Sequence, residues 1–365
     1  MALIDNWART HDQMAAASMV RRVDDAIREL AQILGSSEDD SFDSRSSAVY
    51  ESAELPGVCG LFGVGLAAEN AMARLHVRLL VDRSVASDSG DLSDQSIAFH
   101  LTALGLYEQL RELDSILGVR VEVIDPPVPQ FSPGDRIEAQ LGVQLPGTLG
   151  CRVKYGPEDE NQILGITTAG HVVCKVSYHS TMSAGPALRC DICSQVVRGT
   201  GCNSYSCPNH HKLCAAKVLE TVVQPRQTAD VVTFVSPMCR PASGSSMADI
   251  AISKEPTGSS ASQFAQINRA NALDTVHTVL RGQVKGPTFA TTALAALFPS
   301  NSYASWADVF LTAQGISAAG DSGAPVERGR GELVGHIVGG CTSNSYSIVQ
   351  DAKYQLGAIG ASFRQ

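Results

Sequence analysis

Three short segments hold residue types that together can carry acyl transfer. Gly320-Asp321-Ser322-Gly323-Ala324-Pro325 sets a serine between glycines in a tight turn. Such a turn exposes the hydroxyl while backbone N–H groups converge beside it. That supplies a nucleophile and donors aimed at the oxyanion that forms. Taken alone, the tetrapeptide is equally well explained as a surface turn. Thr167-Thr168-Ala169-Gly170-His171-Val172-Val173 follows the apolar run Ile163 to Ile166, so His171 falls where a strand hands over to a turn. A general base there must keep a neutral imidazole and offer one ring nitrogen to the nucleophile; a structural histidine is the plainer alternative. Ala248-Asp249-Ile250-Ala251-Ile252 opens an apolar run with a carboxylate, either a simple strand start or the group that orients the histidine.

In order and wording, the three segments resemble the chymotrypsin-like, or trypsin-like, serine peptidase family, whose members carry T-A-A-H-like, D-I-A-like and G-D-S-G-like segments. The resemblance runs over roughly residues 145 to 358. It implies that His171 is the general base, that Asp249 orients it and that Ser322 attacks the scissile carbonyl. It also implies an oxyanion hole made by the backbone N–H groups of Gly320 and Ser322. The implied fold is mainly all-β, with two antiparallel β-barrels and the catalytic residues in the cleft between them. The implied function is a serine endopeptidase working through an acyl-enzyme on protein or peptide substrates, with no cofactor for catalysis. A catalytically silent scaffold or protein-binding module on the same fold is the alternative. Asp230 rivals Asp249, since Thr228-Ala229-Asp230 also leads into an apolar run and lies nearer His171. Against it, Val232 stands where the family has a small alanine, which Ala251 supplies after Asp249.

The resemblance has departures. No Ile-Val-Gly-Gly terminus stands before the first strand of this region, and Ile337-Val338-Gly339-Gly340 lies after Ser322 and reads as strand. Asp321 therefore loses the family's usual ion-pair partner. Ile316 falls at the position that marks the base of the specificity pocket, so an acidic base for Lys or Arg substrates is absent. Glutamate-specific relatives carry a histidine on the strand after the serine. Here His336 comes one place early, and alternation along a strand would point it away from the pocket.

Five of the ten cysteines fall between Cys190 and Cys214. Cys190-x2-Cys193 is followed by Cys207-x2-His210 and the overlapping His211-x2-Cys214. Two-residue spacings let a short knuckle point both side chains at one tetrahedral ion. Cys190, Cys193, Cys207 and one of His210, His211 or Cys214 are the candidate ligands for a structural zinc. Disulfides and unliganded thiols are the alternatives. Four protein ligands would leave no open position for catalysis.

These residues need elements to position them. Val20, Val23, Ile27, Leu30 and Leu34 recur at helical spacing, with Thr10 and Gln13 as a capping box and Gly35 as the stop. This helix has either the body of the chain or a regulatory protein partner as its mate. Residues 1–48 read as that helix and an acidic linker, and 49–130 as a small α/β region. In the latter, Leu75, Val77 and Leu79 alternate as a strand, Ile97 to Leu117 is a helix, and Val119, Val121 and Val123 alternate again. Residues 131–365 read as the peptidase-like domain with the Cys/His-rich insertion at 190–214. Its short β-branched runs are broken by Gly, Pro, Ser and Asn.

Apolar residues make up 44% of the 365 and charged residues 18%, a globular balance. A net charge of −9 and 5% aromatics argue against a nucleic-acid face. No apolar run is long enough to span a membrane and no secretory leader is evident, so a cytoplasmic product is expected. In a reducing compartment the cysteine cluster should hold metal. Protein purified from a reducing cytoplasm should contain about one equivalent of zinc by elemental analysis. Finding no metal, and no uptake when zinc is added, would remove the zinc reading.

Overall fold

The computed structural model describes residues 2–10, 12–36, 61–68, 75–82, 92, 101–102, 105–124, 136–139, 147–156, 162–173, 215–219, 227–235, 247–255, 261–271, 274–278, 286–297, 303–318, 320–329, 331–341 and 346–363. The chain is mainly β.

It opens with α1 (Ala2–Thr10) and α2 (Met14–Ser36). The expected capping box does not form. Asp12 turns the chain with φ at 54°. Thr10 instead ends α1, its hydroxyl donating to the Asn6 carbonyl (2.9 Å), and the Gln13 carbonyl accepts the first bond of α2 from Ala17 (3.0 Å). The described part of α2 ends at Ser36, one residue past Gly35. Leu3, Ile4, Trp7 and Ala8 share one face of α1, and Ala16, Ala17, Val20 and Val23 one face of α2; all are buried. That face lies in one continuous apolar cluster with Trp306, Val309 and Phe310. Burying each large side chain contributes about 1.5–3 kcal/mol. The Trp7 indole N–H also donates to the Ala270 carbonyl (2.9 Å), and Asn6 donates to Asn271 (3.0 Å). The mate of these helices is the body of the chain.

The next elements are β1 (Leu61–Ala68), β2 (Leu75–Asp82), α3 (Tyr107–Leu117) and β3 (Val119–Ile124). The helix expected from Ile97 to Leu117 is interrupted at Gly105, whose φ of 69° cannot continue a right-handed turn. Leu110, Leu113 and Leu117 form the buried face of α3. β2 and β3 run parallel, so α3 is a crossover, while β1 pairs antiparallel with β2.

Then follow β4 (Arg136–Ala139), β5 (Gly147–Thr148), β6 (Arg152–Tyr155), β7 (Ile163–Thr168), α4 (Gly170–Val173), β8 (Ala215–Leu219), β9 (Gln227–Val235) and β10 (Ile250–Lys254). After these come β11 (Gln266–Ile267), β12 (Thr275–Thr278), β13 (Gly286–Leu297), β14 (Tyr303–Thr312), β15 (Pro325–Glu327), β16 (Glu332–Cys341) and β17 (Tyr346–Asp351). The last elements are α5 (Ala352–Ala358) and β18 (Ala361–Phe363). Eight strands make one sheet in the order β18-β6-β7-β10-β9-β8-β4-β5. The other runs β12-β15-β16-β17-β14-β13-β1-β2-β3, with β11 on β16. β12 pairs with both β15 and β13. β1 pairs with β13, so the strands of the N-terminal part continue the sheet of the C-terminal part. No described helix is long and apolar enough to cross a membrane.

The two sheets meet through buried polar groups as well as apolar ones. His336 on β16 sits with one ring nitrogen against the Thr167 hydroxyl (3.2 Å) and the other against Gln355 Oε1 (2.8 Å). Burial pulls the His336 imidazole down to about 4 from its ordinary 6.5. The folded chain therefore refuses a proton that the unfolded chain accepts between those values. Stability from this group is full above about pH 6.5 and is lost as pH falls toward 4. Asp351, raised by burial to about 6, acts with the opposite sign between its ordinary 3.8 and 6. Comparing His336→Gln with the unaltered protein isolates the histidine. The urea midpoint of the variant should fall less steeply between pH 6.5 and 4; equal slopes would show that His336 is protonated in the folded state.

Candidate functional site

The turn between β14 and β15, the end of β7 and the start of β10 converge at the seam between the sheets. β7 and β10 are antiparallel neighbours, with Ala251 opposite Thr168. That register brings Asp249, just before β10, beside His171, in the single turn of α4 just after β7. Asp249 Oδ1 accepts the backbone N–H of His171 (2.8 Å), and Asp249 Oδ2 lies 2.6 Å from His171 Nδ1. Gly170 makes this approach possible, because a Cβ there would stand 2.0 Å from the Val235 carbonyl oxygen.

Ser322 arrives from the other sheet. Its Oγ is 2.8 Å from His171 Nε2. Gly320 and Gly323 take φ of 97° and 91°, which let the chain reverse on both sides of the serine. At Gly323 space decides as well: a Cβ would meet the Thr148 carbonyl oxygen and the Thr168 hydroxyl, each at 2.5 Å. The turn is tied to the first sheet by Thr148, whose N–H donates to Ser322 O (2.7 Å) and whose hydroxyl donates to Gly320 O (2.8 Å). Among the described residues, the N–H groups of Gly320 and Ser322 have no backbone acceptor. Asp321 turns inward, its carboxylate accepting the Ala318 N–H (2.9 Å).

The fixed donors around Asp249 suit an ionised carboxylate. The backbone N–H of His171 and the indole N–H of Trp306 can only donate, and they sit on opposite oxygens of Asp249, at 2.8 Å and 3.1 Å. An ionised carboxylate, acceptor on both oxygens, satisfies this set. His171 Nδ1 then carries the proton, and Nε2 is free to accept from the Ser322 hydroxyl. Ser322 and Asp249 are 0% exposed and His171 1%, so these interactions operate away from bulk water.

Of the two aspartates, Asp249 is the one that meets the histidine; Asp230 lies in β9 opposite Ala215. Ile316 is fully buried, its N–H donating to the Ser347 hydroxyl (3.0 Å). Cys190, Cys193, Cys207, His210, His211 and Cys214 lie outside the described residues. Among the described residues, no cluster of His, Cys, Asp and Glu could hold a metal. Cys151 is buried and its thiol is pushed up to about 12, so it is no thiolate nucleophile.

Sequence reasoning missed three side chains around Asp249. Trp306 was one of only two tryptophans, with no motif around it. Gln350 accepts the Asp249 N–H (2.7 Å) and donates to the carbonyls of Met247 (2.9 Å) and Ala307 (2.8 Å). Gln355 donates to the Asp249 carbonyl (3.0 Å). Nothing in the local sequence around these glutamines marks them as buried.

No protein-family model matches the chain, and no curated protein matches it. Among solved structures, it is similar to a glutamic acid-specific serine protease described as using a histidine triad in substrate binding. The identity is 15%, with 65% of this chain and 100% of that one covered, at a TM-score of 0.36. A Nocardiopsis protease is similar at 12% identity, 65% and 100% coverage and a TM-score of 0.38. A Cellulomonas bogoriensis chymotrypsin is similar at 14%, 65% and 98%, with a TM-score of 0.34.

The donor pattern around Asp249 makes a sharp expectation. In Asp249→Asn, one amide position must face an existing donor, either the His171 N–H or the Trp306 and His171 ring pair. The imidazole tautomer is then lost or reversed. If the site is catalytic, turnover should fall about 10⁴-fold, as tautomer reversal costs in trypsin-type triads. Asp230→Asn should stay within a few-fold of wild type. The reverse order of losses, read from steady-state kinetics, would transfer the orienting role to Asp230.

Proposed function

We propose that the chain is a serine endopeptidase of the trypsin-like kind, with Ser322 as nucleophile, His171 as general base and Asp249 as its orienting carboxylate. One observation carries the reading: a single imidazole, His171, lies within hydrogen-bond reach of a serine hydroxyl on one nitrogen (2.8 Å) and of a buried carboxylate on the other (2.6 Å). The six-membered ring of pairings β12-β15-β16-β17-β14-β13 supports the reading of the second sheet as a closed barrel. The eight-stranded sheet is the counterpart of the first barrel in this reading.

The chemistry follows from the atoms present. As Ser322 Oγ bonds to the substrate carbonyl carbon, its proton passes to His171 Nε2. The carbonyl oxygen becomes an oxyanion, for which the N–H groups of Gly320 and Ser322 are the candidate donors. Asp249 stabilises the imidazolium without taking its proton. The Nε2 proton then goes to the leaving amine as the carbon–nitrogen bond breaks, giving the acyl-enzyme. Water attacks this ester by the same route, giving the carboxylic acid and restoring Ser322. No cofactor enters these steps. A structural zinc at Cys190, Cys193, Cys207 and one of His210, His211 or Cys214 rests on their spacing.

The complete burial of Ser322 favours a second reading, in which the site is assembled but closed. Substrate would then reach the hydroxyl only after whatever covers it moves, as on binding a partner.

A fluorophosphonate probe separates the readings. Wild type should become covalently labelled at Ser322, and Ser322→Ala should not; a wild-type protein that stays unlabelled both in buffer and in sub-denaturing urea would overturn the peptidase assignment. Labelling that appears only in sub-denaturing urea would identify the closed form.

A further inference from the structure

We infer that Trp306 is a positioning residue of the site: its indole N–H holds Asp249 Oδ2 in place and keeps it an acceptor for His171. The inference rests on the peptidase reading above. It starts from the sharing of one oxygen. Asp249 Oδ2 receives His171 Nδ1 at 2.6 Å and Trp306 Nε1 at 3.1 Å, while Oδ1 receives the His171 N–H at 2.8 Å. An indole N–H donates and never accepts, and it bears no charge that changes with pH. It therefore withdraws electron density from Oδ2 in every state of the histidine. The carboxylate cannot rotate without leaving this donor unpaired in a dry interior, a costly arrangement.

Trp306 is itself held firmly. It is fully buried on β14, opposite Leu294 of β13. The next residue, Ala307, donates its N–H to the Met247 carbonyl (3.3 Å) and accepts from Gln350 Nε2 (2.8 Å). These bonds tie β14 to the segment that carries Asp249. One residue further, Asp308 takes φ of 48° and its carboxylate accepts the Leu3 N–H of α1 (3.3 Å). The indole is thus fixed from a strand of the second sheet to a carboxylate of the first, and from outside by the N-terminal helix.

A hydrogen bond to a charged acceptor corresponds to a factor of about ten to a hundred. Trp306→Phe keeps an aromatic ring in the buried site and removes the donor. We expect kcat to fall about tenfold or more with KM within about twofold. The acid limb of the kcat/KM profile should move to higher pH, because a carboxylate with one donor fewer attracts the His171 proton more strongly. Asp249 is the charged group bonded to that ring, and Ser322 the hydroxyl. A loss confined to the folded fraction, with kcat per folded site and the acid limb unchanged, would overturn the inference.

A second measurement needs no turnover. The chain has two tryptophans, so Trp7→Phe or Trp306→Phe assigns the indole N–H resonance of Trp306. In the protein with both tryptophans, that resonance should shift as His171 titrates; a resonance that holds still throughout would overturn the inference. If the protein resists fluorophosphonate while the resonance follows His171, the peptidase reading falls and the positioning contact stands. If labelling succeeds and the resonance is still, the reverse holds.

Discussion

A carboxylate with no exposure to water sits between the two sheets, and the local structure is arranged around that fact. Taking an ion such as Asp249 out of water costs several kcal/mol, and hydrogen bonds from nearby donors must offset it. The backbone N–H of His171, its Nδ1 and the indole of Trp306 supply three. Hydrogen bonds to charged groups contribute about 1.5–3 kcal/mol each, so the set is of the right size to hold the charge. The donors come from α4, which follows β7 of one sheet, and from β14 of the other. Holding the charge and docking the sheets are therefore one event.

The backbone around the carboxylate follows the same logic. Residues 247–249 precede β10 without being strand. Gln350 and Gln355 bond their peptide groups at Met247 O, Asp249 N and Asp249 O. Gln355 also meets His336, which meets Thr167, whose hydroxyl accepts the Cys151 N–H (2.8 Å). This chain of contacts runs from α5 through β16 to β7. A network this buried is stabilising only when complete, and it orients the sheets more tightly than apolar packing alone. Ser322 depends on it, because its turn reaches His171 only if the sheets meet at this register.

The N-terminal helices join the apolar cluster behind β14 rather than the seam itself. Leu3, Ile4 and Trp7 cover the face of the sheet that carries Trp306, and β1 adds to the edge of β13. The helices and the catalytic-type residues are thus on one mechanical unit.

Much of this was legible from residue types. Segments with alternating apolar residues, such as Leu75 to Leu79 and Val119 to Val123, became strands, because alternation places the apolar residues on one face. His171, Asp249 and Ser322 could be singled out because each sits at a strand end in a segment of unusual local wording. Other features carried no such mark. β13 reads GPTFATTALAAL, rich in Ala and Thr without alternation, and its strand character comes from neighbours on both sides. Gly105 broke an apparently continuous helix, since a single left-handed residue overrides an apolar stripe, and α1, which lies before the expected helix start, was not read as a helix. The choice between Asp249 and Asp230 was open in one dimension. The pairing of β7 with β10 is what sets the distance from Asp249 to His171. Trp306, Gln350 and Gln355 were invisible for the same reason. Their roles are set by partners 57 to 106 residues away, and sequence patterns record local periodicity. The chain's own order thus determined the chemical types available, and tertiary structure decided which of them meet, because contact between distant residues depends on sheet register and not on spacing.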